Sequence, residues 1–394
     1  MTIVAIIFWF SFLVVFYAFF GYGIVIHALV KITGRGKKQQ FAEPAEWMPA
    51  TLVVPCYNEA DILEMKIKNC RDLDYPKDKL TIMFITDGST DNSPAIIEKH
   101  TDIVLLHSSV RAGKSAAENR AIKHVKTPVV IFTDANTVLN KEAAKNIVRH
   151  FYNEKVGCVS GEKRVITSEA DGASASEGLY WKYESFLKNL DSQFYSAVGA
   201  AGELVAFKTA LYQDMPHDTL LDDFIQSMSI AAKGYKIVYE PEAYAMETPS
   251  ANVKEEIKRK VRICAGGWQS ITRLWPDIGW FKNAKLAFQY YSHRVLRWTV
   301  TPFLMIIMFF ASFALAVQGS TFYLLVFAAQ FCFYGAAFLG YLFEAKNIRL
   351  KLLYVPFYFC MMNWAVMAGL RRFLKGNQSA LWEKAGRSKN ALIQ

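Results

Sequence analysis

Residues 129–139 read VVIFTDANTVL, an apolar run that ends on Asp134, with Asn136 two residues later. An unpaired carboxylate out of water costs several kcal/mol, so a buried strand gains nothing from such an ending. Residues 82–92, IMFITDGSTDN, repeat the design with Asp87. TLVVPCYN (51–58) and DIVLLHS (102–108) are further apolar runs with polar ends. Between these runs, ADILEMKIKNCRDL (60–73), SPAIIEKH (93–100) and KSAAENRAIKHV (114–125) carry helical spacing. Strands that are apolar on both faces and alternate with helices predict an α/β domain, its mainly parallel sheet covered on both sides. In such sheets ligands bind beyond the carboxyl ends of the strands. Asn58, Asp87 and Asp134 all stand at those ends.

The rest of the chain is of another kind. Of its 394 residues 53% are hydrophobic, with 29 Phe, 19 Tyr and 9 Trp, more apolar and aromatic than an ordinary soluble domain. Residues 3–30 contain no acid, Lys or Arg and exceed the ~20 residues that span a bilayer. No basic stretch precedes them, which argues for an uncleaved anchor over a secretory signal. Residues 299–317, 321–343 and 352–370 are also long enough to span. The expected organisation is a transmembrane helix (1–31), a globular α/β domain (48–250), amphipathic interface helices (251–290), transmembrane helices (294–372) and a basic tail (373–394).

KITGRGKK (31–38) and SHRVLR (292–297) put the globular domain in the cytoplasm by the positive-inside rule. Three full C-terminal spans would then export RRFLKGNQSALWEKAGR (371–387), against the same rule. Either one hydrophobic segment is interfacial or re-entrant, or the tail crosses despite its charge. The net charge of +10 fits a face attracted to anionic lipid and a phosphate-bearing substrate, so no nucleic-acid partner is invoked. The six cysteines show no metal-ligand spacing and read as free thiols.

Four segments carry candidate chemistry. Asp134 and Asn136 point two oxygen-bearing side chains to one side of an extended chain. This suits a hard cation such as Mg²⁺ or Mn²⁺, although a turn or helix cap accounts for the pair equally well. AGKS (112–115) resembles the end of a phosphate-binding P-loop. Position 108, however, is Ser where that pattern needs Gly. Lys114 at a helix start remains suited to a phosphate. Residues 219–234 predict a helix opening on Asp222-Asp223 and closing on Gly234. One Asp is expected to cap it, and the other is free to accept a proton from a hydroxyl; both as first-turn acids is the competing reading. Arg259 and Arg262 share a helix face, either on lipid headgroups or as a clamp on a leaving diphosphate.

Together VVPCYNE (53–59), DGSTDNS (87–93), AGKSAAENRA (112–121), TDANT (133–137), Asp222-Asp223 and Arg259-x-x-Arg262 follow the order found in membrane-bound family 2 glycosyltransferases. Residues 48–265 resemble that family, which includes cellulose, chitin, hyaluronan and poly-N-acetylglucosamine synthases. The resemblance implies a GT-A fold, a nucleotide-sugar donor carried on UDP, a divalent metal and inversion at the anomeric carbon. It implies a multi-pass protein of the cell (inner) membrane with its catalytic domain cytoplasmic. By position, Asp87 would contact the uridine, and Pro55, Asn58, Glu59 and Lys114 would belong to the nucleotide-sugar site. Asp134 would meet metal and diphosphate, with Asn136 at the second metal position. Asp223 would be the base and Asp222 its neighbour, while Arg259 and Arg262 would stabilise the leaving diphosphate. EGLYWKYESFLK (177–188), with Tyr180 and Trp181, is similar to the family's helix near the acceptor, and Gly202-Glu203 lies where the family has an acceptor-side loop.

Three departures bear on these expectations. Asn136 replaces an acid, which weakens metal coordination there. Asp222 shortens the usual Glu beside the base. Ile263 stands where processive synthases carry a Trp that stacks on sugar. The implied acceptor is a growing polysaccharide; the alternative is a single addition to a lipid-linked acceptor.

Overall fold

The computed structural model describes residues 2–36, 41–166, 172–248, 253–346 and 350–376, with the backbone alone at 172–180, 345 and 351. A long helix, α1 (Thr2–Ile32), leads into the expected alternation. It runs β1 (Ala50–Cys56), α2 (Leu63–Arg71), β2 (Leu80–Asp87), α3 (Ser93–Glu98), β3 (Val104–Ser108), α4 (Lys114–Ile122) and β4 (Val129–Thr133). These four strands are parallel, in the order β3-β2-β1-β4. Alternate residues feed two separate cores: Leu52, Val54, Phe84 and Ile131 on one face, and Val53, Met83, Ile85, Val130 and Phe132 on the other. This is why the runs are apolar without alternation.

The second half is mixed rather than parallel. It comprises β5 (Val138–Leu139), α5 (Ala143–Val148), β6 (Val156–Val165), α6 (Gly172–Phe194), β7 (Leu204–Lys208), α7 (Asp222–Ala232) and β8 (Lys236–Glu247). The full order is β3-β2-β1-β4-β7-β6-β8-β5. β7 runs antiparallel to both β4 and β6, while β6 and β8 are parallel. The register pairs Thr133 with Leu204, which sets Asp134 beside Glu203 at one sheet edge.

Five helices follow: α8 (Val253–Leu274), α9 (Ala284–Trp298), α10 (Thr301–Val317), α11 (Thr321–Ala345) and α12 (Lys351–Leu374). Among the described residues three helices, in α1, α11 and α12, are long and apolar enough to cross a membrane. α10 passes that test only jointly with α9, from which it is bent by 58°. Pro302 in the first turn of α10 lacks an N–H, and the Thr299 and Thr301 hydroxyls donate to the carbonyls of Val295 and Leu296. The expected straight segment 299–317 is therefore one limb of a bent pair. Most of the basic tail lies outside the described residues, as do Lys37 and Lys38.

At ~1.5 Å per residue α1 is about 46 Å long, half again the ~30 Å of a hydrocarbon core. Its last turns pack on α6, with Tyr22, Ile26 and Val30 against Leu187, Leu190 and Phe194. A π-turn at Tyr17–Gly21 accompanies the contact, and Tyr183 donates to the Phe19 carbonyl at 2.6 Å. Buried Asp191 of α6 accepts from Tyr22, and also from Gln289 at 3.1 Å, and pairs with His293 at 2.5 Å. One apolar helix is thus fastened to the helix that carries Trp181. All six cysteines are free, and Cys56, Cys70, Cys158 and Cys264 are buried.

Candidate active site

The loops after β1 and β2 are laced together. Asn58, at φ 53°, accepts from Thr90 N at 2.8 Å and donates to the Thr90 hydroxyl at 3.2 Å. The backbone N–H of Glu59 donates to Ser93 Oγ at 3.1 Å. Asp87 Oδ2 accepts from the backbone N–H of Ala112 (3.0 Å) and Gly113 (2.7 Å). One carboxylate oxygen therefore fixes the loop before α4. Its Oδ1 is buried with no hydrogen-bond partner among the described residues and is ion-paired with Arg120 at 3.8 Å. Gly88 is required in this arrangement: its φ is +65°, and a Cβ would meet the Arg111 backbone at 2.7 Å. Arg111 in turn lies over the Tyr57 ring at 3.7 Å. Pro55 sits inside β1, buried opposite Ile85, set back from these loops.

Lys114, the first residue of α4, is the hub of the next group. Its Nζ lies 2.8 Å from Asp134, 3.8 Å from Asp222 and 3.9 Å from Glu118. Burial opposes its charge, but these carboxylates outweigh that and hold its pKa well up. Burial and the Asp222 charge push Glu118 well up as well, favouring a protonated form that can share its proton with Asp222. The expected cap is corrected here. Leu221 holds the N-cap position with no side-chain cap bond, and Asp222 and Asp223 are both first-turn residues. Asp223 Oδ1 accepts from the adjacent Phe224 N at 2.8 Å. Burial and the neighbouring Asp222 charge push Asp223 up to about 7. A Cβ on Gly202 would come within 3.1 Å of Asp223 Oδ2 and 3.5 Å of Lys114 Nζ, so the Gly202-Glu203 loop lies directly on both.

Glu203 opens a third group. It pairs with Lys163 of β6 at 2.6 Å, and Lys163 also pairs with Glu247 at the end of β8. Glu247 reaches Arg259 at 3.5 Å, and Arg259 lies 3.5 Å from Glu256. Burial works against the Glu203 charge, but Lys163 and Arg259 pull its pKa down. Lys163 and Lys260 stand 5.3 and 5.4 Å from the Trp181 ring. Trp181, Glu203 and Arg259 thus meet in one alternating charge network, with half-buried Arg262 one turn on. The side chain of Tyr180 is outside the described residues. Trp268 does not replace the aromatic missing at Ile263, since its indole N–H donates to the Val366 carbonyl of α12 at 3.3 Å.

Residues 51–215 match the family Glycosyl transferase family 2. Over these residues the chain is similar to family 2 glycosyltransferases. It is 27% identical over 245 residues to the poly-beta-1,6-N-acetyl-D-glucosamine synthase of Staphylococcus epidermidis, covering 60% of this chain and 58% of that protein. With the synthase of the same name from Staphylococcus aureus it shares 26% over 230 residues, 57% and 55% of the two chains. The matches therefore span a little over half the length of these curated relatives. In fold, it is similar to the mannosyltransferase PcManGT from Pyrobaculum calidifontis, solved with GDP-Man and Mn²⁺. The TM-score is 0.73 at 23% identity, covering 94% of this chain and 99% of that one. The mixed, mostly parallel sheet is a GT-A fold flanked by apolar helices.

For a metal, residues 134–136 offer Asp134 and half-exposed Asn136, and no group of three or more acidic, His or Cys side chains is placed to hold a metal ion among the described residues. One carboxylate and one amide oxygen fit Mg²⁺ or Mn²⁺ in its usual manner, with water and substrate phosphate filling the other positions. Sequence reading missed Glu118, Lys163, Glu247 and Lys66. Glu118 lies one turn beyond Lys114, a spacing that marks an i,i+4 pair. The other three depend on strands or packing that no local pattern announced.

Proposed function

We propose that the chain transfers a sugar, with inversion, from a nucleotide-sugar to a saccharide acceptor at the cytoplasmic face of a membrane, extending a polysaccharide. The observation that carries this reading is Asp223. It is a carboxylate with a pKa near 7, pressed on Gly202 and 3.1 Å from where a Cβ would stand. A base with that pKa takes a hydroxyl proton efficiently at neutral pH. In this reading Asp223 removes the proton from the acceptor hydroxyl as the new glycosidic bond forms, and the donor's bond to diphosphate breaks. Arg259 and Arg262 stabilise the departing charge, and Asp87 and Asn58 hold the nucleotide. Asp134 and Asn136 would hold Mg²⁺ or Mn²⁺, which neutralises diphosphate charge when bound. Trp181 and the Gly202-Glu203 loop face the acceptor. The bilayer holds α1, α11, α12 and the bent pair; if the pair is re-entrant, the basic tail returns to the cytoplasmic side and the positive-inside rule is kept.

A second reading, a single addition to a lipid-linked acceptor, is favoured by one feature. An apolar cavity of about 420 Å³ lies between Phe19 and Phe20 of α1, Tyr183, Trp298 and α12, with Arg297 on its wall. Trp298 packs on Phe224, next to Asp223, at 5.2 Å between ring centroids. Incubating the full chain in nanodiscs with Mn²⁺ and labelled UDP- and GDP-sugars, then sizing the product, decides between the two. A ladder of long products absent in Asp223→Asn supports the polymer reading, and one lipid-soluble glycoside supports the other. No nucleotide release from any donor, with either a saccharide or a lipid-phosphate acceptor added, would overturn both.

A further inference from the structure

α2 carries Lys66 into the protein interior, with no exposed surface. Its ammonium donates to the Thr137 carbonyl at 2.8 Å, to Thr137 Oγ1 at 3.2 Å and to Thr133 Oγ1 at 3.3 Å. All three acceptors are neutral. Thr133 Oγ1 donates onward to the Glu203 carbonyl at 2.9 Å, so the ammonium lies under the junction of the TDANT turn and the acceptor-side loop. One helical turn later, Asn69 makes a reciprocal pair with Leu139, at 2.8 and 2.9 Å. The two side chains share a helix face and clamp residues 133–139, the segment that carries Asp134 and Asn136.

The clamp alone does not require a charge. Burial pushes the Lys66 pKa down, the sign of an ammonium stripped of water, and such a group costs several kcal/mol. A methionine of similar length would fill the same space without that cost, at the loss of the donor to the Thr137 carbonyl, and Asn69 already holds the far end of the segment with a neutral amide. What the lysine adds is positive charge behind Asp134: burial opposes the ammonium, and the Asp134 charge favours it.

We propose that Lys66 is a positioning residue for the donor's diphosphate, holding the Asp134–Asn136 turn and supplying a buried cation beneath it. The inference rests on the reading of this sheet edge as the donor site. Water-excluded surroundings screen the charge little, so its pull on a ligand scales with that ligand's negative charge.

The test compares wild type with Lys66→Met by calorimetry, in nanodiscs with Mn²⁺, using uridine, UMP and UDP, and the guanosine series in parallel. Thermal unfolding is recorded on the same samples. The expected result is a melting temperature changed by only a few degrees, because removal of a buried charge offsets the donor lost to the Thr137 carbonyl. UDP or GDP binding should weaken about tenfold or more, the monophosphate less, and the nucleoside hardly at all. With Lys66→Gln, which keeps a hydrogen-bonding group and loses the charge, the same graded loss is expected. Equal loss for all three ligands, or none, would show a merely structural lysine and overturn the proposal. If Lys66→Met does not fold, Lys66→Gln alone decides on the same gradation; if neither folds, the lysine is structural and the proposal fails. Wild type that binds neither diphosphate would instead sink the donor-site reading on which the proposal rests.

Discussion

Asp222→Asn offers a sharper test of the base than removal of the base itself. Asp223 is held up to about 7, first by burial and then by the charge of Asp222, while Lys114 works in the opposite direction. The ionised form is the base, so activity rises as pH rises through that value and levels above it. Asp222→Asn removes a neighbouring negative charge and thereby favours ionisation of Asp223. Its pKa falls, and the acid limb of the profile moves to lower pH. A like charge in adjacent, enclosed positions is worth about one pH unit, or ~1.4 kcal/mol. The wild-type profile of kcat/KM should therefore bend near pH 7, and that of Asp222→Asn near pH 6. At pH 6 the variant would then lose less relative to its own plateau than wild type does. Asp223→Asn should lose roughly 10²–10⁴-fold at every pH, the usual worth of a general base. Initial rates of nucleotide release at acceptor concentrations well below KM, from pH 5 to 9, supply both profiles. An acid limb that stays in place in Asp222→Asn would refute the assignment, because no other residue is so directly tied to the Asp223 charge.

Lys114→Met strips three carboxylates of their shared cation and should destabilise the fold by about 3–5 kcal/mol at pH 8. Thermal melts of the variant beside wild type check it. Gly202→Ala drives a methyl to 3.1 Å from Asp223 Oδ2. It should lower kcat about tenfold while moving the melting temperature little, a split that kinetics and calorimetry read together. Chelation by EDTA should abolish nucleotide release, with Mn²⁺ or Mg²⁺ restoring it; full activity in EDTA would remove the metal from the mechanism. Tyr183→Phe leaves the Phe19 carbonyl without its 2.6 Å donor and should cost about 1–3 kcal/mol, visible in unfolding and not in donor affinity.

The first four strands were legible because two-faced burial writes itself as unbroken apolar runs, and because each run ends on a polar residue where the sheet edge meets solvent. The same logic located Asn58, Asp87 and Asp134. It failed at β6, where polar SGEKR continues a strand that carries Lys163, and at β7, five residues long. β7 matters most, because its antiparallel insertion is what brings Gly202 and Glu203 to Asp134 and Asp223. No periodicity encodes a strand that enters the sheet between neighbours far off in sequence. Lys66 failed for a related reason: in the local pattern EMKIKN a lysine reads as solvated, and only the packing of α2 beneath the TDANT turn buries it. Asp222-Asp223 was found, but its role as a cap was misread. Leu221 takes the cap position, which leaves both carboxylates for the cluster around Lys114.

That cluster also explains why the chain tolerates Asn136 in place of an acid. Asp134 and Asp222 both lie close to the Lys114 ammonium, with Glu118 beside them drawn toward its protonated form. A further acid at position 136 would add negative charge to a group that already pushes Glu118 and Asp223 upward. Asn136 supplies an oxygen without that charge, and Lys66 sets a positive one behind the turn. The two substitutions of character work in the same direction. In the proposed reading both make the sheet edge less negative before a polyanionic donor arrives, so that diphosphate binding meets less repulsion.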